Sequence, residues 1–177
     1  MKFKAIHTSH YQSPVGDILL ASRNDKLIGL WIEGQKHYLS KLSSDNIIQS
    51  DDDPTILKAK TWLDNYFDNK RPSVNDLDLA PIGNDFAIKV WQILRQITYG
   101  QTITYGEIAR KIALADGKSK MSAQAVGNAV GRNPISIIIP CHRVLDTNRQ
   151  LTGYAGGLDI KKKLLEHEHI LFVNQLI

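Results

Sequence analysis

Asn133-Pro134-Ile135-Ser136-Ile137-Ile138-Ile139-Pro140-Cys141-His142-Arg143-Val144 contains the one cysteine of this 177-residue chain. The apolar run Ile135–Ile139 reads as strand-like and ends at Pro140. A single thiol cannot close an intrachain disulfide or build a multi-thiolate metal site. Most lone cysteines are small buried hydrophobes. Here the thiol follows a strand-like run and has a His and an Arg beside it, surroundings that lower a thiol pKa. Cys141 therefore reads as a nucleophile.

A thiol attacks carbon as thiolate, so it needs a base within reach, directly or through one water. His142 is the local candidate. Adjacent residues of a strand point to opposite faces, so the pair requires a turn at Cys141 or a bridging water. Arg143 reads as an anchor for the loop that follows. A base in a nucleophilic site is oriented by a third group, commonly a carboxylate. Leu164 and Glu168 are four apart on a helix expected over 158–168, so an inward Leu164 brings Glu168 inward too. Glu166 should face water, and Lys161, Lys162 and Lys163 read as mostly solvated.

Apolar residues make up 42% of the chain and charged residues 23%, ordinary values for a globular protein. No stretch approaches the roughly 18 apolar residues of a membrane span. The start lacks the apolar core of a secretory signal, and with an unpaired thiol this leads us to expect a cytoplasmic protein. Net charge is +4 but uneven: residues 1–85 carry 10 Lys/Arg against 12 Asp/Glu, and residues 86–177 carry 12 against 6. The half with the thiol is the basic half, which suits a polyanionic partner.

Working outward, the first part reads as β structure. Apolar or alternating runs at Phe3–Tyr11, Gly16–Ala21 and Leu27–Ile32 are broken by turn residues, the pattern of a three-stranded antiparallel meander. Residues 43–53 read as a polar loop. A helix should open at Pro54 and run to about Phe67, with Leu57, Trp62, Leu63, Tyr66 and Phe67 on its apolar face. Residues 69–84 read as a linker. A helix over Phe86–Ile97 turns Val90, Trp91, Leu94 and Ile97 inward. Thr104-Tyr105-Gly106-Glu107 matches a capping box and starts a helix to about Ala113. After Gly117, Ser122 can cap a short helix over 123–130. Two short helices joined by a tight polar turn form a helix-turn-helix.

In that second helix Val126 and Val130 face inward, while Gln124, Gly127, Asn128 and Gly131 form a small, polar outer strip. Such a strip lets a helix backbone approach a groove wall or a phosphate closely. Tyr105, at a helix start, can stack on or hydrogen-bond a ligand. Leu151-Thr152-Gly153-Tyr154-Ala155-Gly156-Gly157 lacks both the phosphate-loop and dinucleotide glycine spacings. It fits one wall of a pocket for a flat ligand.

These segments closely resemble the O6-alkylguanine-DNA alkyltransferases, also called methylated-DNA–protein-cysteine methyltransferases. The likeness is carried by Pro140-Cys141-His142-Arg143-Val144, Asn133-Pro134, Thr104-Tyr105-Gly106-Glu107-Ile108-Ala109, Ala125-Val126-Gly127, Tyr154-Ala155-Gly156-Gly157 and Leu164-Leu165-Glu166-His167-Glu168, in family order. Ser13-Pro14-Val15-Gly16 and Gly29-Leu30-Trp31-Ile32-Glu33-Gly34-Gln35 extend it to the first part of the chain.

The resemblance implies an α/β, ribonuclease-H-like domain over 1–80, an antiparallel sheet plus a helix. A mainly α, helix-turn-helix, winged-helix-like DNA-binding domain over 85–173 would follow. It implies docking in the minor groove of double-stranded DNA, extrusion of an O6-alkylguanine at a cost of a few kcal/mol, and alkyl transfer to Cys141. O4-alkylthymine is a further candidate substrate. Glu168 would orient His142, which works through a water on Cys141. Tyr105 would donate to N3 of the base. The carbonyls of Cys141 and Val144 and the backbone at Ala155 would read the base edge, Tyr154 would pack on its ring, and Asn133 would brace the turn before the cysteine. Gln124, Ala125, Gly127, Asn128, Gly131 and Arg132 would face DNA. Gln124 stands near the point where several members carry an arginine that fills the flipped base's space. The implied protein is a monomer that needs no cofactor and no metal and acts once. A Cys-His hydrolase would share the nucleophile, but it requires an oxyanion hole for which the sequence offers no candidate.

Overall fold

The structure is a computed structural model describing residues 5–39, 42 and 46–172. The chain divides into two compact units, residues 1–82 with 134–136, and residues 83–133 with 137–177.

In the first unit, β1 (Ile6–Ser13), β2 (Gly16–Arg23) and β3 (Lys26–Ile32) form the expected antiparallel meander. The part of the first strand reading that covers Phe3 and Lys4 lies outside the described residues. Asn24 and Asp25 both have positive φ, 54° and 59°, the geometry that a two-residue hairpin turn requires and that Asn and Asp tolerate.

Two expectations for this unit fail, the loop over 43–53 and the inward place of Leu57. Within the polar stretch 43–53, Ile47–Gln49 forms a short strand, β4, which pairs parallel with β1, so the sheet order is β3-β2-β1-β4. Its burial pattern is exposed throughout, as an edge strand allows. Helix α1 (Pro54–Phe67) has the expected bounds. Asp53 caps it by accepting from Ile56 N at 2.9 Å, and Pro54 sits where its missing N–H costs nothing. Its buried face is Ile56, Ala59, Trp62, Leu63 and Tyr66, while Leu57 is exposed, so the apolar stripe begins one residue earlier than read.

Pro134–Ser136 belong to this first unit. Leu30 N–H donates to Pro134 O at 2.9 Å and Ser136 N–H to Leu30 O at 3.0 Å, a single bridge between Leu30 and Ile135. The run Ile135–Ile139 is therefore not a strand: beyond Ile135 it turns. Ile137, fully buried, takes φ 68°, a left-handed conformation that costs a β-branched residue on the order of 1–3 kcal/mol. Five isoleucine-rich positions look like a strand because all are buried, yet among the described residues their backbone has one ladder contact.

The second unit holds α2 (Asp85–Leu94), β5 (Ile103–Thr104), α3 (Tyr105–Ala115), α4 (Ala123–Gly131), β6 (Val144–Leu145) and α5 (Leu158–His167). Val90, Trp91 and Leu94 are buried as expected, and Trp91 Nε1 donates to Ala129 O at 2.9 Å, tying α2 to α4. The capping box is complete: Glu107 N donates to Thr104 Oγ1 at 3.2 Å and Thr104 N to Glu107 Oε2 at 2.7 Å. Ser122 caps α4 through Ala125 N. Each such cap is worth about 1 kcal/mol. Helices α3 and α4 pack together as the pair anticipated from sequence. Leu145, Leu165, Ile170 and Phe172 form a small core that seats the end of α5. Residue 173, the last in the expected second domain, lies outside the described residues. Among the described residues no helix is long and apolar enough to cross a membrane.

Candidate active site

Cys141, His142 and Arg143 form one 3-10 turn between Pro140 and β6. Cys141 N–H donates to Ile139 O at 2.8 Å and Arg143 N–H to Pro140 O at 3.1 Å. This is the turn that the Cys-His pairing needs, because it releases neighbouring side chains from strand alternation.

All three side chains are buried and converge with the end of α5. Glu168, its C-cap residue, is 2% exposed, and His142 is fully buried. The Glu168 carboxylate accepts from His142 Nε2 at 2.6 Å, Arg143 Nε at 2.7 Å, Arg143 Nη2 at 3.0 Å and Gly100 N at 3.3 Å. Arg143 Nη1 donates to Ile97 O, and the guanidinium lies over the Tyr99 ring. Burial opposes ionisation of Glu168, but the bonds from His142 and the Arg143 fork outweigh it and hold the carboxyl well below its usual range.

A carboxylate only accepts, so His142 Nε2 carries the ring proton and Nδ1 the lone pair. Nδ1 is buried and has no hydrogen-bond partner among the described residues. Burial is the leading influence on His142 and lowers its pKa, in opposition to Glu168. The ring is thus neutral and able to accept a proton. Glu168 reaches His142 as the helix phase indicated, and Glu166 is exposed as expected.

The thiol corrects the sequence reading. Burial pushes Cys141 up, and the opposing influences of Asn133, Lys161, its own backbone and Tyr154 do not cancel it. Arg143 gives the thiol no help, since its guanidinium is spent on Glu168 and Ile97 O; it anchors α5 and the end of α2 rather than the following loop. Burial thus favours the protonated thiol at Cys141 and the neutral ring at His142.

Lys161 is the second correction. Rather than being solvated with Lys162 and Lys163, it is fully buried. Its Nζ donates to Val144 O at 2.6 Å, Thr152 O at 2.9 Å and Gly153 O at 3.2 Å. A signal was available: Lys161, Leu164, Leu165 and Glu168 fall at i, i+3, i+4 and i+7, the same stripe that brings Glu168 inside.

Around Cys141 the structure brings together Asn133, Tyr154 and Tyr105. Asn133, 3% exposed, donates from Nδ2 to Ile139 O at 2.7 Å and bonds the thiol as well. Tyr105 opens α3, half-buried, and donates to Thr152 O at 3.3 Å; burial pushes its phenol up against the opposing effect of Thr152. Gly127 lies next to that ring: a Cβ there would sit in ordinary contact with it, at 3.8 Å. At Gly156 a Cβ would lie 3.0 Å from the Tyr154 ring, so a glycine keeps Tyr154 in place. Val144 is buried, and Ala155 is half-buried in the same loop as Tyr154. Gln124, Asn128 and Arg132 are exposed on α4, Ala125, Gly127 and Gly131 partly so, and Val126 and Val130 are buried, which is the two-faced helix anticipated. Among the described residues no group of three His, Cys, Asp or Glu side chains is arranged to hold a metal ion.

Comparison with known proteins adds three findings. Residues 6–81 match the sequence model of the 6-O-methylguanine DNA methyltransferase ribonuclease-like domain, and residues 85–170 match that of the DNA binding domain of the same name. The chain is 36% identical over 171 residues to the methylated-DNA–protein-cysteine methyltransferase of Haemophilus influenzae, covering 97% of this chain and 90% of that one. It is 45% identical over 158 residues to that of Methanosarcina barkeri, covering 89% and 93%. Among solved structures, Mycobacterium tuberculosis OGT in complex with DNA superposes with TM-score 0.76 at 37% identity, covering 92% of this chain and 93% of that one.

Proposed function

Because the chain belongs to the 6-O-methylguanine DNA methyltransferase family, we propose that it repairs double-stranded DNA by moving the alkyl group of O6-alkylguanine onto Cys141. The observation that carries this reading is a sole cysteine in a turn with a neutral, carboxylate-oriented histidine.

The working parts are residues 1–80 and 85–173. Helix α4 enters the minor groove, with Gln124, Ala125, Gly127, Asn128, Gly131 and Arg132 toward DNA. Gln124 fills the gap left by the extruded base, and Arg132 takes a phosphate. The base stacks against Tyr154 and is read by the carbonyls of Cys141 and Val144 and the backbone at Ala155. The thiol proton passes toward His142 Nδ1, through a water, while Glu168 holds the ring. The sulfur then attacks the alkyl carbon: the S–C bond forms, the C–O6 bond breaks, and the electron pair returns to guanine. Tyr105 gives up its long bond to Thr152 O and donates to N3 of the base as that charge develops. Asn133 holds the turn in register throughout.

A resting thiol suits this scheme. The nucleophile ionises when a substrate is present, and a fully buried site protects it from other electrophiles meanwhile. The thioether product is a poor leaving group, so each chain acts once, as a monomer in the cytoplasm, on O6-alkylguanine and with O4-alkylthymine as a second substrate.

The test mixes the protein with duplex carrying radiolabelled O6-methylguanine and locates the label by peptide mapping. Label on the Cys141 peptide, and none on protein with Cys141→Ser, is the expected result. Label remaining in DNA would overturn the proposal.

A further inference from the structure

We infer that the groove between α3 and the turn leading into α4 takes the phosphate backbone of DNA, with Arg110 and Lys120 as its contacts. This deepens the proposed function and rests on its reading of duplex DNA as the partner.

Helix α3 stops at Ala115, Gly117 turns the chain with φ 65°, and Ser122 caps α4. Between helix and turn lies an open groove of about 510 Å³. Its floor is small: Gly106, Ala109 and Ala113 follow one another on α3 at three- and four-residue spacing, which puts them on one face. Arg110, Lys118 and Lys120 form its walls, and among the described residues no carboxylate lines it. The groove ends at Ala123, the first residue of α4. It is therefore continuous with the outer strip that carries Gln124 and Asn128.

The carboxylates nearby are already engaged. Asp116 accepts from Lys89 at 2.6 Å and pairs with Lys118 at 3.7 Å. Glu107 accepts from Thr104 N in the capping box. Arg110 and Lys120 are exposed, and among the described residues neither makes an ion pair. Cations gathered around one groove repel each other and are stabilised by an anion between them. A protein partner fits this surface poorly, because lysine is depleted at protein–protein interfaces. Exposed Lys and Arg beside a DNA-facing helix are suited to phosphate oxygens, and the glycine and alanine floor lets a sugar-phosphate chain come close. Lys118, shared with Asp116, contributes less than the other two.

The test measures affinity for an undamaged duplex against salt concentration, by fluorescence anisotropy. Arg110→Gln and Lys120→Gln should each reduce the slope of log affinity against log salt by about one, and the double variant by about two. The control is Lys58→Gln with Lys163→Gln, which removes the same charge from exposed positions on α1 and α5; its slope should match wild type. An unchanged slope in the groove variants would overturn the inference and leave the groove to another occupant, such as an acidic protein. An equal fall in the control would also overturn it, by making the effect one of net charge. The same proteins are then given duplex with O6-methylguanine. Methyl transfer by wild type, with an unchanged slope in the variants, would overturn the groove alone. A reduced slope in a protein that transfers no methyl would leave the groove standing and overturn the proposed chemistry.

Discussion

Beneath Cys141 the side chains of His142, Arg143, Lys161 and Glu168 are buried and committed to short polar contacts, whereas on α4 Gln124, Asn128 and Arg132 stand in solvent. Both regions are polar, and both lie in the second unit. In the first, each group holds another: Arg143 fixes the carboxylate that fixes the histidine. In the second, the helix is held by its apolar back, Val126 and Val130, and the outer face is free to serve a partner. Changes to the buried set should therefore damage stability and chemistry together, and changes to the strip should affect binding alone.

The sharpest departure from that pattern is Cys141→Ser, which should abolish methyl transfer, measured with labelled duplex, yet leave DNA binding and folding near wild type. Next comes Glu168→Gln. It strands the buried Arg143 without a countercharge and loosens His142. We expect a loss of about 3 kcal/mol in denaturant unfolding and a fall of about a hundredfold or more in single-turnover transfer rate. Asn133→Ala removes one of the two donors on Ile139 O, the Cys141 N–H remaining, and should cost about 1 kcal/mol by the same unfolding measurement.

Acid probes the buried set as a whole. The folded-state pKa values of Glu168 and His142 are both lowered. In each case the unfolded chain binds protons more readily, so the stabilisation is full above the unfolded values of about 4.3 and 6.5 and is lost as pH falls. Thermal unfolding should show the midpoint falling first below about pH 6.5 and more steeply below about 4.3; a flat response would break the comparison.

The smallest stability effects belong to α4. Gln124→Ala and Arg132→Ala should change unfolding free energy by less than about 0.5 kcal/mol. Arg132→Ala should reduce the slope of log affinity for DNA against log salt by about one. An unaltered slope would remove Arg132 from the phosphate contacts.

The readable features were those decided locally. Pro54, Thr104 and Ser122 announce helix starts, and the side chains of Thr104 and Ser122 do accept from backbone three residues on. Glu168 was legible from its spacing to Leu164. What escaped depends on distant partners. Ile47–Gln49 becomes a strand because β1 offers it an edge. Ile135–Ile139 is buried like a strand but bonded like a turn, and composition reports burial only. Lys161 is indistinguishable from Lys162 and Lys163 until three carbonyls from elsewhere in the chain are brought to it. The acidity of the thiol was misread for a related reason: Arg143 adjoins Cys141 in sequence, but its charge is consumed by a carboxylate 25 residues away.

The most direct test of Cys141 as a one-time acceptor is a titration of the protein with excess duplex bearing O6-methylguanine, counting repaired bases per chain. Repair should stop at one methyl per chain, with Cys141 fully converted to the thioether. Continued repair beyond that point, or repair with Cys141 unmodified, would contradict it.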